Sequence, residues 1–249
     1  MRVPFIPNTL IMLLVVLGGV YLYGLRFGHL SAGMSPLPAI DLASGSGWFI
    51  DWRLAALTNS RDLCQEMFKG PHAVASPVQD HPIGADDCGY VNAFSVSQVG
   101  GASVGLSPLT CPATAALSLW TEFVVQPEAE RLFGSRVVSM SDMGTYACRD
   151  KIGGTYRNRL NKILREIDPS LARSQHATAN AVDIGGFTLA NGTTISVLRD
   201  WKDKGAKGDF LRRVHSGACN YFRVTLGPDY NKPHENHFHL DRGPGRVCW

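Results

Sequence analysis

None of the six cysteines, Cys64, Cys88, Cys111, Cys148, Cys219 and Cys248, stands in a Cys-x-x-Cys pair. That spacing belongs to zinc ribbons and thioredoxin-like redox sites, so both are set aside. Charge of one sign is also scarce. The net charge is +3 over 249 residues, and dropping the first 33 removes Arg2 and Arg26 but no acid, which leaves a remainder near +1. A nucleic-acid binder carries a denser basic face, so no nucleic-acid partner is expected. No internal repeat is present, and the 14 prolines are scattered rather than gathered into a rod or linker array. What is there is ordinary globular composition, 45% apolar and 18% charged. It suffices for a sizeable core in one domain with a terminal extension.

No charge falls between Val3 and Leu25. Within that stretch, Leu10 to Leu25 is apolar apart from its tyrosines and glycines. As a helix it rises about 24 Å, a little short of the roughly 30 Å hydrocarbon core; Phe5 and Ile6, with some bilayer adjustment, make up the difference. A cleaved signal peptide is the alternative, but the apolar run is long and no clear A-x-A site follows it. Residues 1–25 are therefore expected to form an uncleaved transmembrane anchor. No cysteine follows the run, which excludes a bacterial lipoprotein anchor. Residues 26–50, with Ser31-Ala-Gly-Met-Ser-Pro-Leu-Pro and Ser44-Gly-Ser-Gly, read as a flexible tether, and residues 51–249 as the folded domain. Arg2 and Arg26 flank the span evenly and set no orientation. The even cysteine count does, because six cysteines spread over such a domain read as disulfides of an exported protein. The expected location is the inner (cytoplasmic) membrane, single-pass, with the C-terminal domain in the periplasm. Cys148–Cys219 is the bridge expected, since each residue flanks the later half of the domain.

Pro112 to Val125 reads as a helix because Ala116, Leu119, Trp120, Phe123 and Val124 fall on one face. Pro112 suits its first turn, Pro127 ends or restarts it, and Gly134 caps the continuation. Arg157 to Ile167 carries Leu160, Ile163, Leu164 and Ile167 at helical spacing and stops at Asp168-Pro169. Asp209 to Ser216 is a short helix with Gly217 as its cap. Strands come late. Ile184 to Ala190 and Thr193 to Leu198 flank Asn191-Gly192, a pair suited to a tight turn whose two central residues both take positive φ. Asn191-Gly-Thr also matches a glycosylation sequon, the weaker reading. Tyr221 to Leu226 and His237 to Asp241 are the remaining strands. The fold class is α+β: an antiparallel sheet with helices packed against it.

Three histidines crowd into His234-Glu-Asn-His237-Phe-His239-Leu-Asp241. On a strand, alternation puts His237, His239 and Asp241 on one face and Phe238 and Leu240 on the other. A solvated polar face would alternate too, yet three histidines beside Glu235 and Asp241 are unusual for one. Earlier, His176 and Asp183 stand seven residues apart. On a continuous helix they would lie about 10.5 Å apart along the axis, too far for ligands that bind zinc at about 2.0–2.2 Å. The chain must turn between them, and helix-forming Ala177 to Ala181 does give way to strand-like Val182-Asp-Ile-Gly-Gly-Phe. Alone, H-x6-D is weak, since a surface histidine and a strand-edge aspartate would explain it. Its weight comes from the histidine cluster.

Taken together, Tyr146-Ala-Cys148-Arg149, Ser174-x-His176 through Asp183-Ile-Gly-Gly-Phe187, Cys219, Leu226-Gly-Pro-Asp-Tyr-Asn231 and His234-x-x-His237-x-His239-x-Asp241 make most of Asp51 to Trp249 resemble the bacterial extensin-like C-terminal domain family. The two histidine motifs are also similar to those of a wider zinc peptidase group. It includes penicillin-insensitive murein endopeptidases, D-alanyl-D-alanine dipeptidases and the hedgehog signalling domain. That resemblance implies a Zn2+ site with His176, Asp183 and His239 as ligands. The H-x-x-H-x-H form of the murein endopeptidases implies active-site roles for His234 and His237. The chain departs from the group at Ala179, where glycine is frequent four residues before the aspartate, and in a basic insertion between Cys148 and Ser174.

Three protein ligands leave zinc an open position for water, whose pKa falls towards 7. His234 is the first candidate for the base that takes its proton and Glu235 the second. Asp241 can orient a histidine from behind. Arg149 either holds a substrate carboxylate through a bidentate contact or makes a structural ion pair. The expected function is zinc-dependent hydrolysis of amide bonds in peptidoglycan peptides. The alternative is a zinc-containing cell-wall binding module without catalysis, since fold does not guarantee activity. No protein partner is indicated.

Overall fold

Gly100 and Gly101 take φ values of 51° and 79°, the pair of positive angles that a two-residue hairpin turn requires. They join β2 (Ala93–Val99) to β3 (Ala102–Thr110), with Val99 opposite Ala102. This hairpin belongs to a sheet of nine strands among the described residues. In the computed structural model, residues 8–26, 33, 35, 37–45, 47–151, 159–160, 162–163, 166–167 and 172–249 are described. β1 (Ala73–Pro77) adds antiparallel to β2, and β4 (Val137–Gly144) runs parallel to β3 and antiparallel to β5 (Ala181–Leu189). The first half of β5 pairs with β8 (Phe238–Asp241) and its second half with β6 (Thr194–Ser196). β7 (Val224–Leu226) completes the far side, antiparallel to β8 and parallel to β9 (Val247–Cys248).

The class is α+β as expected, but the sheet begins well before the late strands read from the sequence. β1 to β4 were not foreseen, although the Gly-Gly turn is a hairpin signal. The Asn191-Gly192 turn also differs from expectation. Only Gly192 has positive φ, 84°, and Leu189 N–H donates to Thr193 O at 2.9 Å. The loop therefore holds three residues and ends in one left-handed residue, the next commonest hairpin connection.

The helices are α1 (Asn8–Arg26), α2 (Ile50–Ala56), α3 (Arg61–Met67), α4 (Cys111–Trp120), α5 (Gln126–Phe133), α6 (Val197–Asp200) and α7 (Ala206–Ala218). α4 is buried along its whole length. Trp120 stacks edge-on with Phe187 and Phe222, and its indole N–H donates to Val214 O at 2.8 Å. Between α4 and α5, Thr121–Val125 widens to π-helical hydrogen bonding. Pro127 then falls in the first turn of α5, directly after the π-helical stretch. Gly134 ends α5 with φ 59°. Gly217 is no cap. It lies inside α7, and a Cβ there would come within 2.4 Å of Val124, so its smallness lets α7 pack closely. The helix expected from Arg157 to Ile167 lies largely outside the described residues.

One further expectation is corrected. Cys148 bridges Cys88, not Cys219; Cys219 bridges Cys248, and Cys64 bridges Cys111. The Cα atoms of Cys88 and Cys148 are 5.5 Å apart and those of Cys219 and Cys248 5.8 Å apart, within bridging range. The stretch read as tether also contributes Ile40 and Leu42 to the core, and Arg53 donates to Pro38 O and Ala39 O. Among the described residues no helix is long and apolar enough to cross a membrane. The apolar run forms α1, whose large side chains are exposed.

Candidate metal centre

The register of β5 against β8 sets Asp183 directly opposite His239. Cross-strand partners share a face, so both point to the same side of the sheet. Phe238 and Leu240 point the other way and are fully buried in the core. His176 arrives from a short 3-10 turn, Gln175–Thr178, whose start is capped by Ser174 Oγ accepting from His176 N–H at 3.3 Å. The turn ends at Ala179, in left-handed geometry with φ 51° and ψ 27°, and the chain then enters β5. The departure from glycine at this position thus falls where glycine is most at home.

Three donor atoms converge. His176 Nε2 lies 3.2 Å from Asp183 Oδ1 and 3.1 Å from His239 Nδ1, and His239 Nδ1 lies 3.0 Å from Asp183 Oδ1. Tetrahedral zinc with ligands at about 2.0–2.2 Å would space its donors about 3.3–3.6 Å apart, so the triangle is slightly tighter than that and of the right donor set. The outer nitrogens are committed elsewhere. His176 Nδ1–H donates to Thr145 O at 3.1 Å, and His239 Nε2–H donates to Asp241 Oδ2 at 3.0 Å. With the outer nitrogens held in this way, the inner nitrogens, which here donate to Asp183, would become the lone-pair donors once a metal displaced their protons, the orientation that metal-binding histidines take from their outer partners. His176, Asp183 and His239 are the residues that could hold a metal. A second cluster among the described residues, Asp86 with Cys88 and Cys148, could not, because its sulfurs are joined in a disulfide.

All three donor residues are buried, with His176 only 2% exposed. Burial alone raises the Asp183 pKa, but hydrogen bonds from His176 and His239 reverse this and hold the carboxyl far below its usual range. Burial likewise disfavours the charged form of His239, yet Asp183 and Asp241 on its two sides raise its pKa to about 9. His234 and His237 shift the other way. Burial first, then the neighbouring histidines, lowers His234 to about 4, and burial first lowers His237.

The other predicted residues separate into two groups. His237 Nε2 comes within 3.5 Å of Asp183 Oδ1. The His234 ring centroid is 5.3 Å from that of His237 and 5.8 Å from that of His239. His234, His237, His239 and Asp241 open onto a cleft of about 260 Å3, and Arg149 lines it too. Glu235 is not brought in, since its carboxylate pairs with Lys232. A neighbouring cleft of about 320 Å3 contains none of these residues and is divided from the first by Gln175, Gly243 and Pro244.

Sequence reasoning missed several contributors. Thr145 acts through its carbonyl, which no side-chain motif reveals. Asn231 Oδ1 accepts from His234 Nδ1–H at 2.5 Å, and Tyr230 packs edge-on against the same ring. Both lie in the Leu226 to Asn231 motif, whose presence was noted without a role. Lys151 also lines the cleft.

The geometry defines an α+β domain in which the middle of a sheet carries a buried, convergent cluster of two histidines and an aspartate. The sequence model described as Extensin-like protein C-terminus matches residues 62–249, and the chain belongs to that family. No curated protein and no solved structure matches the chain.

Proposed function

We propose that the chain is a membrane-anchored, exported zinc-dependent peptidase acting on amide bonds in peptidoglycan peptides. What supports this above all is the convergence of His176 Nε2, Asp183 Oδ1 and His239 Nδ1 within 3.0–3.2 Å, with the other nitrogen of each ring hydrogen-bonded away. His176, Asp183 and His239 would hold the zinc, which when bound would supply Lewis acidity and lower the pKa of a water. His234 is the general base: with Nδ1–H given to Asn231, its Nε2 keeps the lone pair that accepts a proton from the attacking water. His237 stabilises the developing oxyanion from the edge of the cleft. Arg149, which lines the same cleft, receives a substrate carboxylate. The anchor in this reading is the apolar N-terminal run of which α1 is part, and three disulfides suit an oxidising compartment such as the periplasm. The likeness of the histidine motifs to zinc peptidases belongs to the same proposal.

One observation favours a second reading. Glu235 turns to Lys232, so this candidate base does not face the cluster, as in a zinc-containing cell-wall binding module without turnover. Metal analysis and chromatography of digested sacculi separate the two. The peptidase reading expects one zinc per chain and released peptides. His176→Ala, Asp183→Ala and His239→Ala each lose the zinc. His234→Ala keeps zinc and loses about 10²–10⁴-fold in turnover. Zinc-loaded wild type that releases no peptide from several sacculi leaves the binding module, and protein without affinity for zinc removes both.

A further inference from the structure

Trp48 is 88% exposed and Phe49 57% exposed. They are adjacent in sequence and packed on each other, with ring centroids 6.4 Å apart, and Phe49 touches Trp52 at 6.0 Å. Large exposed aromatics gathered in this way mark an interaction surface more often than a bare patch. The backbone helps to present them. Phe49 stands before α2 with φ 61° and ψ 36°, left-handed geometry that a residue with a Cβ avoids unless its surroundings hold it there.

The position of the pair narrows what can cover it. α2 contacts α1. On α1, Leu10, Ile11, Met12, Leu13 and Leu14 are exposed in succession. Five successive residues go all the way round a helix, so α1 has no polar side to offer water. Tyr21 and Tyr23 lie in the last turns of α1, towards its C-terminal end at Arg26, and are exposed as well. Tyrosine and tryptophan collect where hydrocarbon meets headgroups, because each ring has an apolar body and a polar tip. A protein partner would have to wrap every side of α1 and also cap the aromatics. A bilayer does both with one surface.

We propose that Trp48 and Phe49 form an interfacial foot that rests at headgroup level and holds the domain against the membrane in one orientation. This rests on the reading of α1 as membrane-embedded. The foot is fixed to the candidate metal centre. Arg242, the residue after Asp241, donates to Asp51 Oδ1 at 2.9 Å and to Tyr221 O at 2.6 Å. α2 is thereby tied to the end of β8, so a seated foot sets the direction in which the cleft faces.

The test uses the full chain in vesicles of phosphatidylethanolamine and phosphatidylglycerol, with bromine placed shallow or deep on the acyl chains. The difference in emission between wild type and Trp48→Phe isolates Trp48 from the other tryptophans, and a residue so exposed is replaced without harm to folding. The expected result is that the chain floats with the vesicles and that shallow bromine quenches the Trp48 emission more than deep bromine. Flotation with Trp48 unquenched by either lipid overturns the foot and leaves the anchor standing. Trp48 unquenched by lipid but shielded from aqueous acrylamide means that a second copy or another protein covers it, and this also overturns the proposal. A chain that does not float overturns the foot and the anchor together.

Discussion

Two parts of the sheet, the β2–β3 hairpin and the β5–β8 pair in its middle, are made of similar antiparallel strands and bury opposite things. Around β2 and β3, the inward positions are Phe94, Val96, Val99, Leu106 and Leu109, packed under α4 and stapled nearby by Cys64–Cys111. Around β5 and β8 one face is just as apolar, with Val182, Ile184, Phe238 and Leu240, but the other face buries Asp183, His239 and Asp241 beside His176. A buried ionisable group is costly unless it is paired. Here the cost is offset because Asp183, His176, His239 and Asp241 satisfy one another. The comparison teaches that the apolar hairpin holds the fold by area and shape, whereas the β5–β8 pair uses the same strand geometry to aim donor atoms at one point.

The largest expected effect lies at the apolar hairpin. Phe94 is fully buried and packs edge-on against Phe68 at 5.0 Å. Phe94→Ala should cost about 3–5 kcal/mol of stability, read from the denaturant midpoint. In the proposed zinc-loaded protein, zinc bound per folded chain should not change. A parallel loss of zinc affinity in the folded fraction would break the distinction between the two parts.

A smaller effect probes the layer behind the metal strand. His215 is buried against Trp201 and Phe238, on the side of β8 away from the cluster. Burial lowers its pKa to about 4, against a weaker upward pull from Asp229 and the Trp249 carbonyl. The folded state therefore binds the proton less readily than the unfolded chain, whose histidine titrates near 6.5. Stability should be full above about pH 6.5 and fall by about 3 kcal/mol as pH drops to 4. Denaturant titrations in chelator at several pH values should show this slope for wild type and a shallower one for His215→Leu. Equal slopes would mean that His215 is solvated in the native state.

The smallest effect concerns the turn that delivers His176. Ala179 holds φ 51° while fully buried, and left-handed geometry costs a residue with a Cβ roughly 1–2 kcal/mol. Ala179→Gly relieves that strain but gives up a buried methyl and stiffens the unfolded chain less, so the terms nearly cancel and a net change of less than about 1 kcal/mol is expected. Thermal unfolding of the chelated protein measures it. A clear loss of stability would show that the methyl contributes more to packing than the backbone loses in strain.

Much of the site was legible because its logic is local. Alternation along His237 to Asp241 sorts Phe238 and Leu240 from the polar trio in any strand that buries one face. The seven-residue gap from His176 to Asp183 excludes a helix and demands a turn, which the structure provides at Ala179. What short-range pattern could not supply was any relation between distant segments. Cys148 meets Cys88 because the chain after β4 passes beside the loop before β2, and no spacing in the sequence records that approach. Thr145 orients His176 through a carbonyl that every residue possesses, and its placement follows from β4 pairing with β5. Glu235 has the same chemistry wherever it lies, yet its neighbour Lys232, three residues earlier on the same short turn, draws it out of the cleft. Residue type and periodicity determine which face a side chain takes and what chemistry it brings; sheet register and loop packing alone decide which distant groups come within reach of it, because those distances belong to the folded chain and to no segment of it.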